Sequence, residues 1–298
     1  MKAKSVFLLF CLLFALSVAF PQTAQVPQRT DENVIVASYK IKWIGEAQHD
    51  FDKLAQVIEN FDVCGIIEVK SEAALAELVK SLEAKSGKDW GYVFGVRTHR
   101  PSGTYHEAYG AVWRKDRVEL GDGLISGVWD QKEKFRNDPF IVSFRRKNFD
   151  FSLVLIHTRW TDDDEGTREG EVAAIAEQIF WLRGFLAERD IILAGDFNYS
   201  GRAEPMISTA EYAELTQIDP NDKSTFKSDY SGYSSPYDHI YISESDTREF
   251  IQGSSGVLDT TRLVYGSGSA ENMKKSKQEL SDHLPVWAVF NVSLSDDD

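Results

Sequence analysis

Short apolar runs that end in acidic residues or histidines constrain the fold of this chain more than any other sequence feature. The clearest run, residues 191–194, is followed by the sequence Gly-Asp-Phe-Asn. A short apolar run between polar neighbours predicts a buried β-strand. Asp196 and Asn198 lie two residues apart, so an extended backbone carries both side chains on the same side. A Gly-Asp turn is also a common way to end a strand, so this motif alone does not establish a functional site.

Other apolar runs in the chain carry polar residues at the same kind of position. These residues are Glu68, Glu107, His157, Asp238 and the sequence Ser281-Asp282-His283. Polar residues at strand ends collect at one edge of a sheet, where loops build binding sites. Clustered carboxylates repel one another, so the pattern implies a bound cation or basic partners. Carboxylate oxygens suit Mg²⁺ or Ca²⁺ rather than Zn²⁺, and the sequence has no His/Cys spacing typical of structural zinc.

Two of the six histidines, His157 and His283, lie beside these carboxylates in the pattern. A histidine that pairs with a carboxylate can activate water as a general base, or can protonate a leaving group. Together with a divalent metal, such pairs suit the hydrolysis of a phosphate ester. His239 follows Asp238 directly, so it points to the opposite face of an extended strand and is predicted to be structural.

The N-terminus predicts a signal peptide at residues 1–19, followed by a polar leader at residues 20–32. Lys2 and Lys4 form a basic region, residues 5–16 are apolar, and residues 17–19 form a small-x-small cleavage motif. The apolar run is too short for a typical transmembrane helix. We therefore expect a secreted or periplasmic protein that has no membrane association once the signal peptide is removed.

The composition restricts the partners and the redox chemistry of the exported chain. Its net charge is −14, or −16 without Lys2 and Lys4, so binding to a polyanion would require a local track of basic residues. Cys11 leaves with the signal peptide, and Cys64 then has no partner for an internal disulfide. Because Cys64 lies in an apolar run, we expect a buried and inert thiol.

The order of predicted elements indicates an α/β (α+β) fold with two mixed β-sheets and outer helices, in one domain that spans residues 33–298. Strands are predicted at residues 33–44, 63–67, 90–96, 108–113, 139–145, 149–157, 190–194, 238–243 and 284–292, and helices at 51–60, 72–85 and 168–187. Residues 199–236 are predicted to be rich in turns, because their periodicity is weak. Residues 253–277 are predicted to form a mobile surface loop.

Seven motifs, taken together, resemble the endonuclease/exonuclease/phosphatase superfamily and, within it, the secreted deoxyribonuclease I-type enzymes. The matching segments are residues 37–42, 67–70, 105–109, 156–157, 195–198, 237–239 and 281–283. Each motif is weak alone, but all seven occur in the family's order over nearly the whole mature chain. The resemblance implies a four-layer sandwich of two packed mixed β-sheets flanked by helices. It also implies a monomeric enzyme that hydrolyses DNA phosphodiester bonds with Mg²⁺ or Mn²⁺.

The resemblance also implies a role for each matching residue. The implied roles are metal binding for Glu68 and Asp282, pairing of His157 with Glu107 and of His283 with Asp238, and positioning of water and of the phosphorane oxygens for Asp196 and Asn198. The implied contacts with DNA are Lys42, Lys70 and Tyr105. Lys42 and Lys70 would supply the local basic track, although both also suit a solvated surface.

Lys40 departs from the family pattern, which has asparagine at this position. Its ammonium group would contact the scissile phosphate, or would pair with Glu68 and compete with the metal. Two alternatives to a nuclease therefore stay open: another phosphoesterase that acts on a lipid head group or a small phosphate, and a non-enzymatic binding protein with Lys40 in the metal place. An enzyme that acts on a lipid is expected to have an exposed apolar hairpin that docks on the membrane. The long connections of this chain are polar, which argues against a lipid substrate. The otherwise nearly complete catalytic set argues against the binding protein.

Overall fold

The computed structural model describes residues 25–95, 107–121, 126–127, 134–163, 166–186 and 188–295. Its elements are β1 (Asn33–Ile44), α1 (Phe51–Ile58), β2 (Val63–Val69), α2 (Glu72–Ser86), β3 (Trp90–Phe94), β4 (Ala108–Arg114), β5 (Glu119–Leu120), β6 (Ser126–Gly127), β7 (Phe140–Arg146), β8 (Phe149–His157), α3 (Arg168–Phe185), β9 (Ile191–Asp196), α4 (Glu204–Tyr212), β10 (Thr216–Gln217), β11 (Asp238–Ile242), β12 (Phe250–Val257), α5 (Thr260–Tyr265), α6 (Ala270–Glu279) and β13 (Val286–Asn291). The predicted signal peptide and Tyr105 lie outside the described residues. Within these residues, no helix has both the length and the apolar character that a membrane span requires.

Two mixed β-sheets form the centre of the described chain. The first has the strand order β12-β13-β1-β2-β4-β3, and the second has the order β10-β11-β9-β8-β7-β5, with β6 also paired to β7. Each sheet contains one parallel pair, β1 with β2 and β8 with β9, and a helix connects the two strands of each pair. The other neighbours are antiparallel. This arrangement confirms the predicted α/β fold class with two mixed sheets.

Three layers of buried apolar side chains hold the sheets and helices together. Phe144, Phe151 and Val286 belong to the layer between the two sheets. A second layer joins helices α1 and α2 to the outer face of the first sheet, and a third joins α3 and α4 to the outer face of the second. The result is the four-layer sandwich that the resemblance implied. Cys64 is buried in the second layer, where burial raises the pKa of its thiol and keeps it unreactive, as predicted.

Local sequence signals explain where the first helices begin and end. The Asp50 carboxylate accepts a hydrogen bond of 3.1 Å from the backbone N–H of Lys53 and thereby caps α1. Ser71 occupies the N-cap position of α2 without a capping hydrogen bond from its side chain. Gly87 ends the same helix in the left-handed conformation, with φ of 63°. All strands and helices predicted individually are present among the described residues, with bounds that differ by at most two residues, while the predicted ends at 96 and 187 lie outside the described residues.

The prediction for residues 253–277 was wrong, and the prediction for residues 199–236 missed two elements. Residues 199–236 are mostly turns and irregular segments, as predicted, but also contain α4 and β10, whereas the predicted mobile loop at 253–277 contains part of β12, the helix α5 and most of α6. Strand β12 pairs with β13, so its polar residues are fixed by backbone hydrogen bonds rather than by an apolar face. Asp259 and Ser269 cap the two helices, and Met273 fixes α6 in the core. These short helices depend on caps and tertiary packing, which leave little periodicity in the sequence.

Gly195 allows the strands β8 and β9 to approach each other where the cleft described below begins. A Cβ atom at this position would lie only 1.9 Å from the carbonyl oxygen of Ile156. No side chain can relieve that overlap, because the contact is with backbone of the paired strand. The glycine of the Gly-Asp-Phe-Asn motif is therefore required by the spacing of the two strands.

We expect the substitution Gly195→Ala to lower the free energy of unfolding by about 3 kcal/mol or more, because the new methyl group overlaps the backbone of β8. Gly184→Ala is the matched control, since a Cβ there meets nothing within 4 Å. That control, in α3, should raise stability by about 0.5–1 kcal/mol. Urea unfolding of both variants measures the difference, and equal midpoints would show that the spacing at Gly195 imposes no constraint.

Candidate active site

The polar strand ends of both sheets meet in one cleft with a volume of about 450 Å³. Its described lining includes Lys40, Trp43, Glu68, His157, Trp160, Asp196, Asn198, Tyr237, Asp282 and His283. Glu107 and Asp238 lie behind the two histidines and are buried. The structure therefore brings together all the predicted catalytic and metal residues, although they come from distant parts of the sequence.

His157, at the end of β8, pairs with a carboxylate of the other sheet. Its Nδ1 atom lies 2.7 Å from Oε1 of Glu107, the residue before β4. Burial lowers the pKa of His157, but the charges of Glu107 and Asp196 outweigh burial and raise the pKa to about 9. The pair fixes the ring so that Nε2 faces the cleft.

His283 forms a second pair of the same kind. Its Nδ1 atom lies 2.7 Å from Oδ2 of Asp238, and the same oxygen accepts a hydrogen bond of 2.6 Å from the hydroxyl of Ser224. Burial lowers the pKa of His283, and Asp238 raises it above the ordinary value, against an opposing effect of Lys40. His239, next in sequence to Asp238, bonds instead to Asp219 at 3.1 Å. It points away from the cleft, as predicted.

Asp196 lies between the two histidines. Its Oδ2 atom is 3.7 Å from Nε2 of His157 and 3.7 Å from Nε2 of His283. Its Oδ1 atom accepts a hydrogen bond of 2.9 Å from the backbone N–H of Asn198. The Asn198 amide donates in turn to the carbonyl oxygen of Thr158 at 2.6 Å, which leaves its second amide hydrogen for another acceptor.

Lys40 lies at the other side of Asp196, among the residues predicted to bind metal. Its Nζ atom is 3.3 Å from Oε1 of Glu68 and 3.6 Å from Oδ1 of Asp282. Glu68 Oε2 accepts a hydrogen bond of 3.1 Å from the backbone N–H of Trp43. Burial raises the pKa of Asp282, but Lys40 and His283 outweigh it and lower the pKa to about 2. Asp282 is therefore an anion over the whole physiological pH range.

The donor atoms of this cleft fit a divalent cation. Among the described residues, Asp196 Oδ2 and Asp282 Oδ1 are buried carboxylate oxygens without a hydrogen-bond partner, and Glu68 Oε1 faces the same space. Leaving such oxygens without a partner is costly, and carboxylates are the ligands that Mg²⁺ and Mn²⁺ prefer. Glu107 and Asp238 also lie close enough to their histidines to share an ion, but their hydrogen bonds to Nδ1 atoms already use them.

Three of the described residues that line the cleft have a strained backbone conformation. Trp43, Glu68 and Asn198 have positive φ angles of 49°, 65° and 51°, which residues with side chains rarely adopt. Each costs free energy that the surrounding structure must offset, and such residues cluster at functional sites. This strain turns Glu68 and Asn198 toward the cleft at the points where β2 and β9 end.

Two groups that shape the cleft are absent from the sequence predictions. Ser224 supports the Asp238–His283 pair, and a buried Glu171 supports the loop after β8. Glu171 Oε2 accepts bonds of 2.8 Å from both the backbone N–H and Nε of Arg159. Glu171 lies one turn before Ile175 on the apolar face of α3. A charged residue on that face is a signal of a buried ion pair, whereas nothing in the sequence around Ser224 indicates its role.

Of the three predicted DNA contacts, one lies at the rim of the cleft, one is not part of its described lining, and one lies outside the described residues. Lys42 is at the rim, with Nζ 3.8 Å from Oδ2 of Asp282 and a side chain that is 41% exposed. Lys70 is half-buried just after β2 and is not among the described residues that line the cleft. Tyr105 lies outside the described residues.

Comparison with known proteins identifies the family. A model of the Endonuclease/Exonuclease/phosphatase family matches residues 42–283. The chain belongs to this family. A protein of Thioalkalivibrio sp. (strain K90mix) named Deoxyribonuclease is 26% identical over 271 residues, which cover 89% of this chain and 73% of that protein. The superfamily resemblance stated from the motifs is thereby confirmed.

Solved structures of the family share the fold at low sequence identity. D. rerio TDP2, complexed with a single-strand DNA product, is 15% identical, with a TM-score of 0.55 and coverage of 87% of this chain and 99% of that chain. A mannosyl-6-phosphatase of Bacteroides thetaiotaomicron VPI-5482 is 18% identical, with a TM-score of 0.53 and coverage of 86% and 98%. These two likenesses show the fold alone, since one fold supports different substrates.

We expect Glu107→Gln to lower the pKa of His157 from about 9 by about 1–3 units, because an opposite charge is removed and burial remains. Because the pKa of His157 is raised in the folded protein, its protonation stabilises the fold. This stabilisation is complete below the pKa of 6.5 in the unfolded chain and is lost as the pH rises through about 9. The stability difference between wild type and variant should therefore shrink from pH 6.5 to 9. NMR titration of the imidazoles measures the pKa, and His239 is the internal control. An unchanged His157 titration would contradict the pairing.

Proposed function

We propose that this protein is a secreted, divalent-metal-dependent endonuclease that hydrolyses DNA phosphodiester bonds. The observation that carries the proposal is the symmetric arrangement of the His157–Glu107 and His283–Asp238 pairs around Asp196. Both Nε2 atoms lie 3.7 Å from the same Asp196 oxygen, so a phosphate group that enters the cleft meets a proton donor and a proton acceptor together. The relative named Deoxyribonuclease supports DNA as the substrate, and the N-terminal sequence supports secretion.

The two histidines are suited to different steps of hydrolysis. His157, with a pKa of about 9, is protonated at neutral pH and is suited to protonate the leaving oxygen. His283 is paired through Nδ1 with the buried Asp238 carboxylate, which would stabilise the imidazolium that forms when Nε2 accepts a proton from the attacking water.

Glu68, Asp282 and Asp196 are the residues that would hold a divalent cation. A bound Mg²⁺ or Mn²⁺ would stabilise negative charge on the phosphate oxygens. Asn198 would donate its second amide hydrogen to a phosphorane oxygen, since its first is fixed by Thr158. Asp196 would orient the attacking water between the two imidazole rings.

Exposed aromatic side chains at the cleft favour a nucleic acid over a small phosphate. Trp43 and Trp160 both line the cleft, although they are 40% and 57% exposed. Trp160 is braced edge-on by Tyr237, with ring centroids 5.6 Å apart, and the Lys42 ammonium lies 5.0 Å from the ring centroid of Trp43. Such platforms stack on unpaired or splayed bases, while lysines contact phosphates.

One feature favours a different function. The Lys40 ammonium lies among the carboxylates that would bind metal. A non-enzymatic binding protein, which needs no metal for catalysis, is compatible with an ammonium at this place. Cleavage assays separate this alternative from the nuclease, and a comparison of several substrates separates a nuclease from another phosphoesterase. The binding protein and the other phosphoesterase are therefore distinguished by different assay outcomes.

The mature protein should nick supercoiled plasmid with Mg²⁺ or Mn²⁺ and lose this activity in chelator. His283→Ala should lower the rate by about two to four orders of magnitude, because the proton acceptor is lost. RNA and a small phosphodiester are assayed in parallel, and circular dichroism verifies that the variant is folded. Cleavage of the small ester alone would indicate a phosphoesterase that does not act on nucleic acid, and no cleavage with any metal would indicate a binding protein. A folded His283→Ala protein with wild-type rates would remove this residue from the mechanism.

Replacing Lys42 and Lys70 with alanine should weaken DNA binding and reduce the dependence of the binding constant on salt. Each lost phosphate contact reduces the slope of log K against log salt by about 0.9, because fewer counterions are released. The double variant Lys80→Ala/Lys85→Ala, on the exposed face of α2, is the matched control with the same change of charge. Binding is measured by fluorescence anisotropy at several salt concentrations. Equal slopes in all three proteins would place the DNA track elsewhere.

A further inference from the structure

Lys40 places an ammonium group at the point where three carboxylates of the cleft converge. Its Nζ atom lies 3.3 Å from Glu68 Oε1, 3.6 Å from Asp282 Oδ1 and 3.9 Å from Asp196 Oδ2. The three carboxylates come from the end of β2, from the end of β9 and from the segment before β13. The Lys40 side chain is 9% exposed, so the ion pairs are largely shielded from water.

The contacts of Lys40 differ from those of a lysine at the rim. Lys42, two residues further along β1, touches only the outer oxygen of Asp282 among these carboxylates, at 3.8 Å, and is 41% exposed. The backbone of Lys40 is also fixed, because its carbonyl oxygen accepts a hydrogen bond of 2.5 Å from the hydroxyl of Ser281. A buried ammonium persists only where opposite charges compensate it. Here the compensating oxygens are the same ones that would bind a divalent cation.

We propose that Lys40 is a built-in counter-ion of the metal centre, which keeps the three carboxylates stable without metal and lowers the affinity of the free protein for divalent cations. The inference rests on the metal site of the proposed function but does not depend on the substrate. Loss of the Lys40 charge should have two consequences. The carboxylates should repel one another in the absence of metal, and a divalent cation should bind more tightly because no ammonium opposes it.

The experiment compares Lys40→Met with wild type, because methionine keeps the length of the side chain and adds no oxygen ligand. Mn²⁺ binding is measured by electron paramagnetic resonance without DNA, and thermal unfolding is measured in chelator and in Mn²⁺. Lys40→Arg, which keeps the charge, and Lys42→Met, which removes a rim charge, are the matched controls.

We expect Lys40→Met to bind Mn²⁺ at least about tenfold more tightly than wild type. It should also unfold at a lower temperature in chelator and recover in Mn²⁺, while wild type and Lys40→Arg change little between the two conditions. Lys42→Met should resemble wild type. Equal Mn²⁺ affinity in Lys40→Met and wild type would overturn the inference, as would a Lys40→Met protein that Mn²⁺ fails to stabilise. These readouts need no cleavage, so an inactive wild type would refute the nuclease and leave this result interpretable.

Discussion

The burial of carboxylates where two β-sheets meet is the constraint on which this structure depends. A buried carboxylate without compensation costs several kcal/mol, so each one here faces a basic side chain. The pairs are Glu107 with His157, Asp238 with His283, and Glu68 and Asp282 with Lys40. Each histidine bonds through Nδ1 to a carboxylate of the other sheet, and this bond orients its Nε2 atom toward Asp196.

The positions of the polar residues could be predicted from sequence because strand ends obey a simple geometric rule. Apolar runs identified the strands, and the last polar residue of each run had to lie at an edge of a sheet. This reasoning alone placed Glu68, His157 and Asp196 near one another. The pairing of His157 with Glu107, 50 residues away, could not follow from local patterns. It came from the resemblance of the motifs to a known family, and the structure places the two side chains in contact.

Features that depend on tertiary contacts could not be predicted. The helices in residues 253–277 are short and polar, so their caps and a few buried contacts decide their formation. Ser224 lies in an irregular segment, and its bond to Asp238 depends on how that segment pairs with residues near His283. Lys40 was recognised as unusual, but its three carboxylate contacts required the assembled cleft. The Glu171–Arg159 pair does leave a signal in the sequence, which is a charged residue on the apolar face of α3.

The central claim is that the two histidine–carboxylate pairs and Asp196 act as one hydrolytic centre. The most direct test is the single-turnover rate of DNA cleavage by Asp196→Asn at saturating Mn²⁺. Asparagine keeps the acceptor for the Asn198 backbone N–H and removes only the charge between the imidazole rings. The account predicts a fall in rate of about two to four orders of magnitude in a variant that stays folded. A folded Asp196→Asn protein that cleaves DNA at the wild-type rate would contradict it.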